Sequence, residues 1–292
     1  MSTYVEKSNY NAGENLSKQK VMASSKPTLC EPCREGKVNN MTINIETKIK
    51  INVMKKPISD MICLMDGRIL VVEWYGKVYQ LTSNGKLDKQ LKIPGEASNV
   101  TQINQDTIAI NYPSEKVIKI FNMKNKRVTK VIKLDSPCWG LSFSNNSLAV
   151  SLFTGEIRII DLEGNILRSI VKGCDSTRDF LVYCNDRVIY SDRYGKAVYC
   201  INASGQQIWQ YTQDLEGPKG LCTDNYGNII VADYESDRII VISKDGQNSK
   251  VLINKEDGLE NPHRICFNRN ASSCFTCHSW GSYLAEFDIT YG

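Results

Sequence analysis

The stretch Leu221-Cys-Thr-Asp-Asn-Tyr-Gly-Asn-Ile-Ile-Val-Ala-Asp-Tyr-Glu-Ser-Asp-Arg-Ile-Ile-Val-Ile-Ser-Lys-Asp-Gly246 holds two apolar, β-branched runs set between clusters of turn-forming residues. Each run is too short for a helix and reads as a strand. The polar cluster at Tyr226-Gly227 that precedes the first run has counterparts at Asp66-Gly67, Gln105-Asp106, Asn145-Asn146, Asn185-Asp186 and Ala271-Ser272, a period of about 40 residues. A second series of turns runs one hairpin behind, at Asn84-Gly85, Lys124-Asn125, Glu163-Gly164, Ser204-Gly205 and Asp245-Gly246. Each full unit thus supplies an inner strand, two central strands and an outer strand such as Lys130–Leu134 or Gln207–Tyr211. Four short strands per unit, repeated six times, predict an all-β chain folded as a six-bladed β-propeller with four-stranded antiparallel blades.

The sixth unit ends after its third strand, around residues 283–287, which would leave an unpaired sheet edge. Upstream of the first unit lies an alternating segment with Ile43, Ile45, Ile49, Ile51 and Val53 on one face. It is expected to be the missing outer strand, so that residues 41–53 close the ring on the last blade and residues 41–292 fold as one domain. Residues 1–40 are polar and poor in core-forming side chains, and are expected to be a disordered tail.

The chain has 292 residues, 41% of them hydrophobic, and a net charge of +4. The excess is local: residues 1–57 carry ten Lys/Arg against five Asp/Glu, which leaves the remainder near −1. No apolar run is long enough for a membrane span, and the first residues lack the apolar core of a signal peptide. The eleven cysteines are therefore expected to be reduced thiols in a cytoplasmic protein, with no disulfide framework.

The fifth unit also carries a family resemblance. Pro218-Lys-Gly-Leu221, Asp224-Asn-Tyr-Gly-Asn228, Ile230-Val-Ala-Asp233, Asp237-Arg-Ile239 and Lys244-Asp-Gly246 look like an NHL repeat. Over residues 41–292 the chain resembles the propeller of invertebrate tripartite-motif (TRIM) proteins, and Cys30-Glu-Pro-Cys33 looks like the opening of a B-box whose later ligands are lost. That resemblance implies a substrate-recognition propeller linked to ubiquitin-ligase pathways. The RING, the intact B-box and the coiled coil of such proteins are missing from the sequence, so the expectation is a monomeric, non-catalytic protein-interaction module that is not an enzyme and needs no cofactor or metal.

The candidate partner-binding face follows from the repeat phase. The turns between the second and third strands carry Trp74, Tyr75, Tyr112, Phe153, Tyr194, Tyr234 and Trp280, and the connections between blades carry Trp139, Arg178, Lys219, His263 and Arg264. In a propeller both sets share one end of the ring, giving aromatics around a partly basic mouth, a composition favoured in interface hot spots. The same rings would alternatively lean inward and pack between blades. Two other readings stand beside this one. Lys124, Lys126, Arg127, Lys130 and Lys133 form a basic run open to an RNA-binding role. Asp60, Asn99 and Asp179 could point into the channel as calcium ligands of a lactonase- or esterase-like propeller. Cys274-Phe-Thr-Cys277-His278 matches a haem-attachment pattern, but positions three apart on a strand face opposite ways, so the thiols should not converge. Across the tight turns, Asp192 with Lys196, Asp233 with Arg238 and Glu73 with Lys77 are expected as structural ion pairs.

Overall fold

The structure is a computed structural model describing residues 38–50, 56–171, 180–278 and 283–292. The chain separates into two units, 1–34 and 35–292, and every described residue lies in the second. It forms six four-stranded antiparallel sheets. The inner strands of blades 1 to 6 are Ile58–Cys63, Val100–Asn104, Cys138–Ser144, Leu181–Cys184, Pro218–Thr223 and Pro262–Asn268.

The run at residues 229–232 is apolar at every position because both of its faces are covered. Ile229 and Val231 pack with blade 4, whereas Ile230 and Ala232 pack with blade 6. Side chains alternate across a pleated strand, so one strand serves two seams. Blade 2 repeats the arrangement, with Ile108 and Ile110 turned toward blade 1 and Ala109 toward blade 3. The core is accordingly six separate seams between neighbouring blades. Two-residue turns at Asn145-Asn146 (φ 48° and 57°) and Asn185-Asp186 (φ 49° and 56°) reverse the chain between strands. Positive φ at both central residues is what a type I′ hairpin requires, and Asn and Asp tolerate it best among residues with a side chain.

Blade 6 contains Pro262–Asn268, Ser273–His278 and Tyr283–Tyr291, and its fourth, outermost strand is Met41–Lys50 from the other end of the chain. This pairing, from Met41 with Tyr291 to Lys50 with Tyr283, closes the ring. Of the proposed closing segment 41–53, residues 51–53 lie outside the described residues. The expected single apolar face is corrected by a bulge. Ile45 pairs with Phe287 and Thr47 with Glu286, leaving residue 46 as an extra residue. Alternation reverses there, so Ile43 joins the seam between blades 5 and 6 while Ile49 joins that between blades 6 and 1.

Cys274 and Cys277 lie on one strand and belong to different seams, so their thiols face apart. Of the three expected turn pairs, Asp233 and Arg238 meet at 3.3 Å. Lys196 instead reaches Glu216 at 2.8 Å, and the Asp192 carboxylate accepts the Gly195 amide. The Lys77 backbone amide donates to Glu73. Among the described residues no helix is long and apolar enough to cross a membrane. Cys30 and Cys33 lie outside the described residues.

Candidate functional site

The backbone brings the turns between second and third strands to the same end of the ring as the connections between blades. The amides of Trp74, Phe153 and Tyr234 donate to the carbonyls of Pro57, Pro137 and Gly217, at 2.7, 2.8 and 3.0 Å. Each acceptor lies immediately before an inner strand. That hydrogen-bond pattern sets aromatic turn residues beside the residues that open the channel.

Side chains from several blades meet there. The Trp74 ring of blade 1 stacks on Trp139 of blade 3 with centroids 6.1 Å apart, and Tyr75 meets the same indole edge-on at 6.2 Å. On the other side, Phe180 of blade 4 lies 5.7 Å from the His263 ring of blade 6. The Arg264 guanidinium sits 3.5 Å from the Phe180 centroid, and the Lys219 ammonium 3.3 Å from that of Tyr234. Arg193 completes the rim, bonded to Glu235 at 3.1 Å. Trp74, Phe180, Arg193, Lys219, His263 and Arg264 line a cavity of about 180 Å³. Cations held against ring faces keep their charge with little hydration and are strengthened electrostatically.

Nδ1 of His263 and Nε1 of Trp139, both at this mouth, are buried and have no hydrogen-bond partner among the described residues. Buried polar atoms are nearly always satisfied, and leaving one unmet costs about 1–3 kcal/mol. His263 is 9% exposed. Burial first, then the charges of Arg264 and Lys219, hold its pKa well below the ordinary histidine value, so the imidazole is neutral at pH 7. Beneath it the Asp60 carboxylate accepts the Val100 and Met61 amides, each at 2.9 Å. Its pKa is raised by burial, against the opposing effect of the Arg264 charge.

A second cavity of about 350 Å³ runs along the channel between the inner strands, from Asp60 and Asn99 toward Gln102 and Arg269. Phe180 and Arg264 line both cavities, so this stacked pair is the partition between mouth and channel.

The proposed ring of aromatics divides in two. Phe153 and Tyr194 are 66% and 77% exposed and Trp74 is 40% exposed, whereas Tyr112 is 1% exposed and packs between blades 1 and 2. Tyr75, Trp139 and Tyr234 are half-buried. Lys219, His263 and Arg264 are buried side chains that turn into the mouth. Arg178 and Trp280 lie outside the described residues. Phe180 and Arg193 were not among the expected site residues. Phe180 could have been found, because it stands immediately before its inner strand in the phase of Pro57, Pro137 and Gly217. Of the three candidate calcium ligands, Asp60 accepts two backbone amides and stands beside Arg264, Asp60 and Asn99 line the channel, and Asp179 lies outside the described residues. Among the described residues no three His, Cys, Asp or Glu side chains group closely enough to hold a metal ion.

Fold and site together define a six-bladed β-propeller with a cationic, aromatic-walled mouth, a scaffold with a broad face able to carry protein interactions. It is similar to a streptogramin B lyase, with a TM-score of 0.60 and 12% identity over 87% of this chain and 99% of that one. A protein of unknown function from Bacteroides thetaiotaomicron matches with a TM-score of 0.69 and 9% identity, over 86% of this chain and 76% of that one. No family model matches the chain, and no curated protein matches it. At these identities the likeness shows the fold. It also corrects the expectation that the chain is not an enzyme: the same architecture, over most of both chains, belongs to a lyase, so a propeller without zinc modules is no ground for excluding catalysis.

Proposed function

We propose that the propeller recognises a partner that presents an anionic group beside a flat apolar one, seated in the mouth between Trp74, Phe180, Arg193, Lys219, His263 and Arg264. The observation that carries this reading is the convergence of three cationic side chains and an unpartnered, neutral His263 on one ring-walled cavity of about 180 Å³. An anion would meet Lys219, Arg193 and Arg264, and a ring would lie against Trp74. A donor group on the ligand would satisfy Nδ1 of His263. The cavity fits one side chain or a small molecule. The NHL-type resemblance of blade 5 favours a protein partner over a free metabolite; a TRIM-like role in ubiquitin-ligase pathways is a finer form of the same proposal. The RNA alternative would rest instead on the basic run of the outer hairpin of blade 2, where Lys130 is paired with Glu163.

The test is titration of the intact chain with short peptides carrying an acidic residue next to an aromatic one, followed by indole fluorescence. The expected result is saturable quenching, weakened at least about tenfold by Lys219→Met and by Trp74→Ser, as for hot-spot residues. Equal binding by the variants would refute the placement.

A second reading is favoured by one observation, the buried and unprotonated state of His263 between two cations. Such a group can take a proton from a carbon acid whose developing negative charge Lys219 and Arg264 stabilise, chemistry of the lyase class to which one structural neighbour belongs. Exchange of a bound ligand's carbon-bound proton with solvent deuterium, lost in His263→Gln, is the expected outcome.

A further inference from the structure

Two thiols on neighbouring inner strands face each other at the seam where the ring closes. Cys63 ends the inner strand of blade 1, Cys266 lies within that of blade 6, and their Sγ atoms are 2.9 Å apart. Both line the channel cavity, Cys63 half-buried and Cys266 buried. We propose that Cys63 and Cys266 form an oxidation site, at which a small peroxide reaching the channel converts the pair into an intramolecular disulfide stapling blade 1 to blade 6.

Three features support it. The sulfurs need to approach by only roughly 0.9 Å to reach bonding distance. The cavity of about 350 Å³ admits a molecule the size of hydrogen peroxide to the half-buried thiol. The seam itself is the one at which the chain passes from the closing strand into blade 1, so a covalent link there spans residues 63 and 266, most of the ring.

The chemistry balances. The Cys63 thiolate attacks one peroxide oxygen, the O–O bond breaks, and hydroxide leaves and takes up a proton as water, so that sulfur is oxidised to a sulfenic acid. Cys266 then attacks the Cys63 sulfur: the S–S bond forms, the S–O bond breaks, and the departing hydroxide takes the Cys266 proton as a second water. Two thiols and one peroxide give one disulfide and two waters. Burial, followed by the bond to Cys63, raises the Cys266 thiol well above the ordinary range, so the half-buried Cys63 is the sulfur that meets the peroxide first.

The intact chain is treated with a few equivalents of hydrogen peroxide, its remaining thiols are blocked with N-ethylmaleimide, and the tryptic peptides are mapped. Cys63 is the only cysteine between Lys56 and Arg68, and Cys266 the only one between Arg264 and Arg269, so the linked pair has a unique mass. The expected result is that link as the main product, reversed by dithiothreitol, with a thermal midpoint raised by about 5–15 °C for so long a loop. Cys63→Ser should abolish both changes. Should that variant not fold, the wild-type map decides alone. Full alkylation of both thiols, sulfinic acid without a link, or a Cys222–Cys274 link as main product would overturn the proposal.

Discussion

His263 couples the mouth to pH. Its pKa is depressed in the folded chain, by burial and then by Arg264 and Lys219, against about 6.5 when unfolded. The unfolded chain therefore binds the proton more readily, and the stability contributed by the neutral imidazole is complete above about pH 6.5 and lost as pH falls through the folded value. Urea midpoints of the intact chain should decline over that interval more steeply than those of His263→Gln; parallel curves would show that the ring does not bear this charge balance. Gly220 is the other residue on which the mouth depends. A Cβ there would lie 2.7 Å from the His263 carbonyl oxygen and 2.9 Å from the Arg264 Cα, so the inner strands of blades 5 and 6 approach as closely as they do only because this side chain is absent. Gly220→Ala should cost about 1–3 kcal/mol in denaturant unfolding and weaken ligand binding with it. Neither property was legible in the sequence. Burial of His263 and the role of Gly220 arise from contacts between blades some 40 residues apart, and local pattern carries no record of them.

Among the elements, the closing strand makes the most specific demand. Residue 46 is the inserted position that lets Ile43 and Ile49 enter different seams. Deleting Glu46 should force one end of the strand to present the wrong face, at about 2–4 kcal/mol for a large apolar side chain withdrawn from the core. Glu46→Ala, which keeps the backbone, should change the urea midpoint little. Equal effects of the two changes would show the bulge to be dispensable. The existence of this strand and its partner were readable, because a truncated sixth unit and an orphan alternating segment fit only each other. The bulge was not, because an unbroken Ile-x-Ile alternation conceals it. Similarly, Phe153 and Tyr194 stand out to solvent as their turn position suggests, whereas Tyr112 occupies the same repeat phase and folds back against Gly95 and the seam between blades 1 and 2. What separates them is the approach of a neighbouring loop, which repeat spacing does not encode.

For the whole molecule, six seams each shared by two blades make the ring a single cooperative object. A chain beginning at residue 51 would uncover the edge of residues 283–291, a ready template for intermolecular pairing. It should lose the sharp thermal transition of the intact chain and sediment as higher oligomers. A monomer with an unchanged transition would show that blade 6 needs no fourth strand. The six-fold architecture was legible because every unit solves the same burial problem with the same turns and strands. The mouth was legible only as a place, since its chemistry comes from one-off residues in which the blades differ.

The stack of Arg264 on Phe180 gives the ring two vestibules in place of a bore. If that stack holds when a molecule enters at the aromatic end, arrival and departure share one doorway, and whatever is held there blocks its successor until it leaves. The opposite vestibule, with its thiols, is correspondingly free to sample the surrounding solution on its own terms, and the two ends of the same ring can answer to different chemical signals.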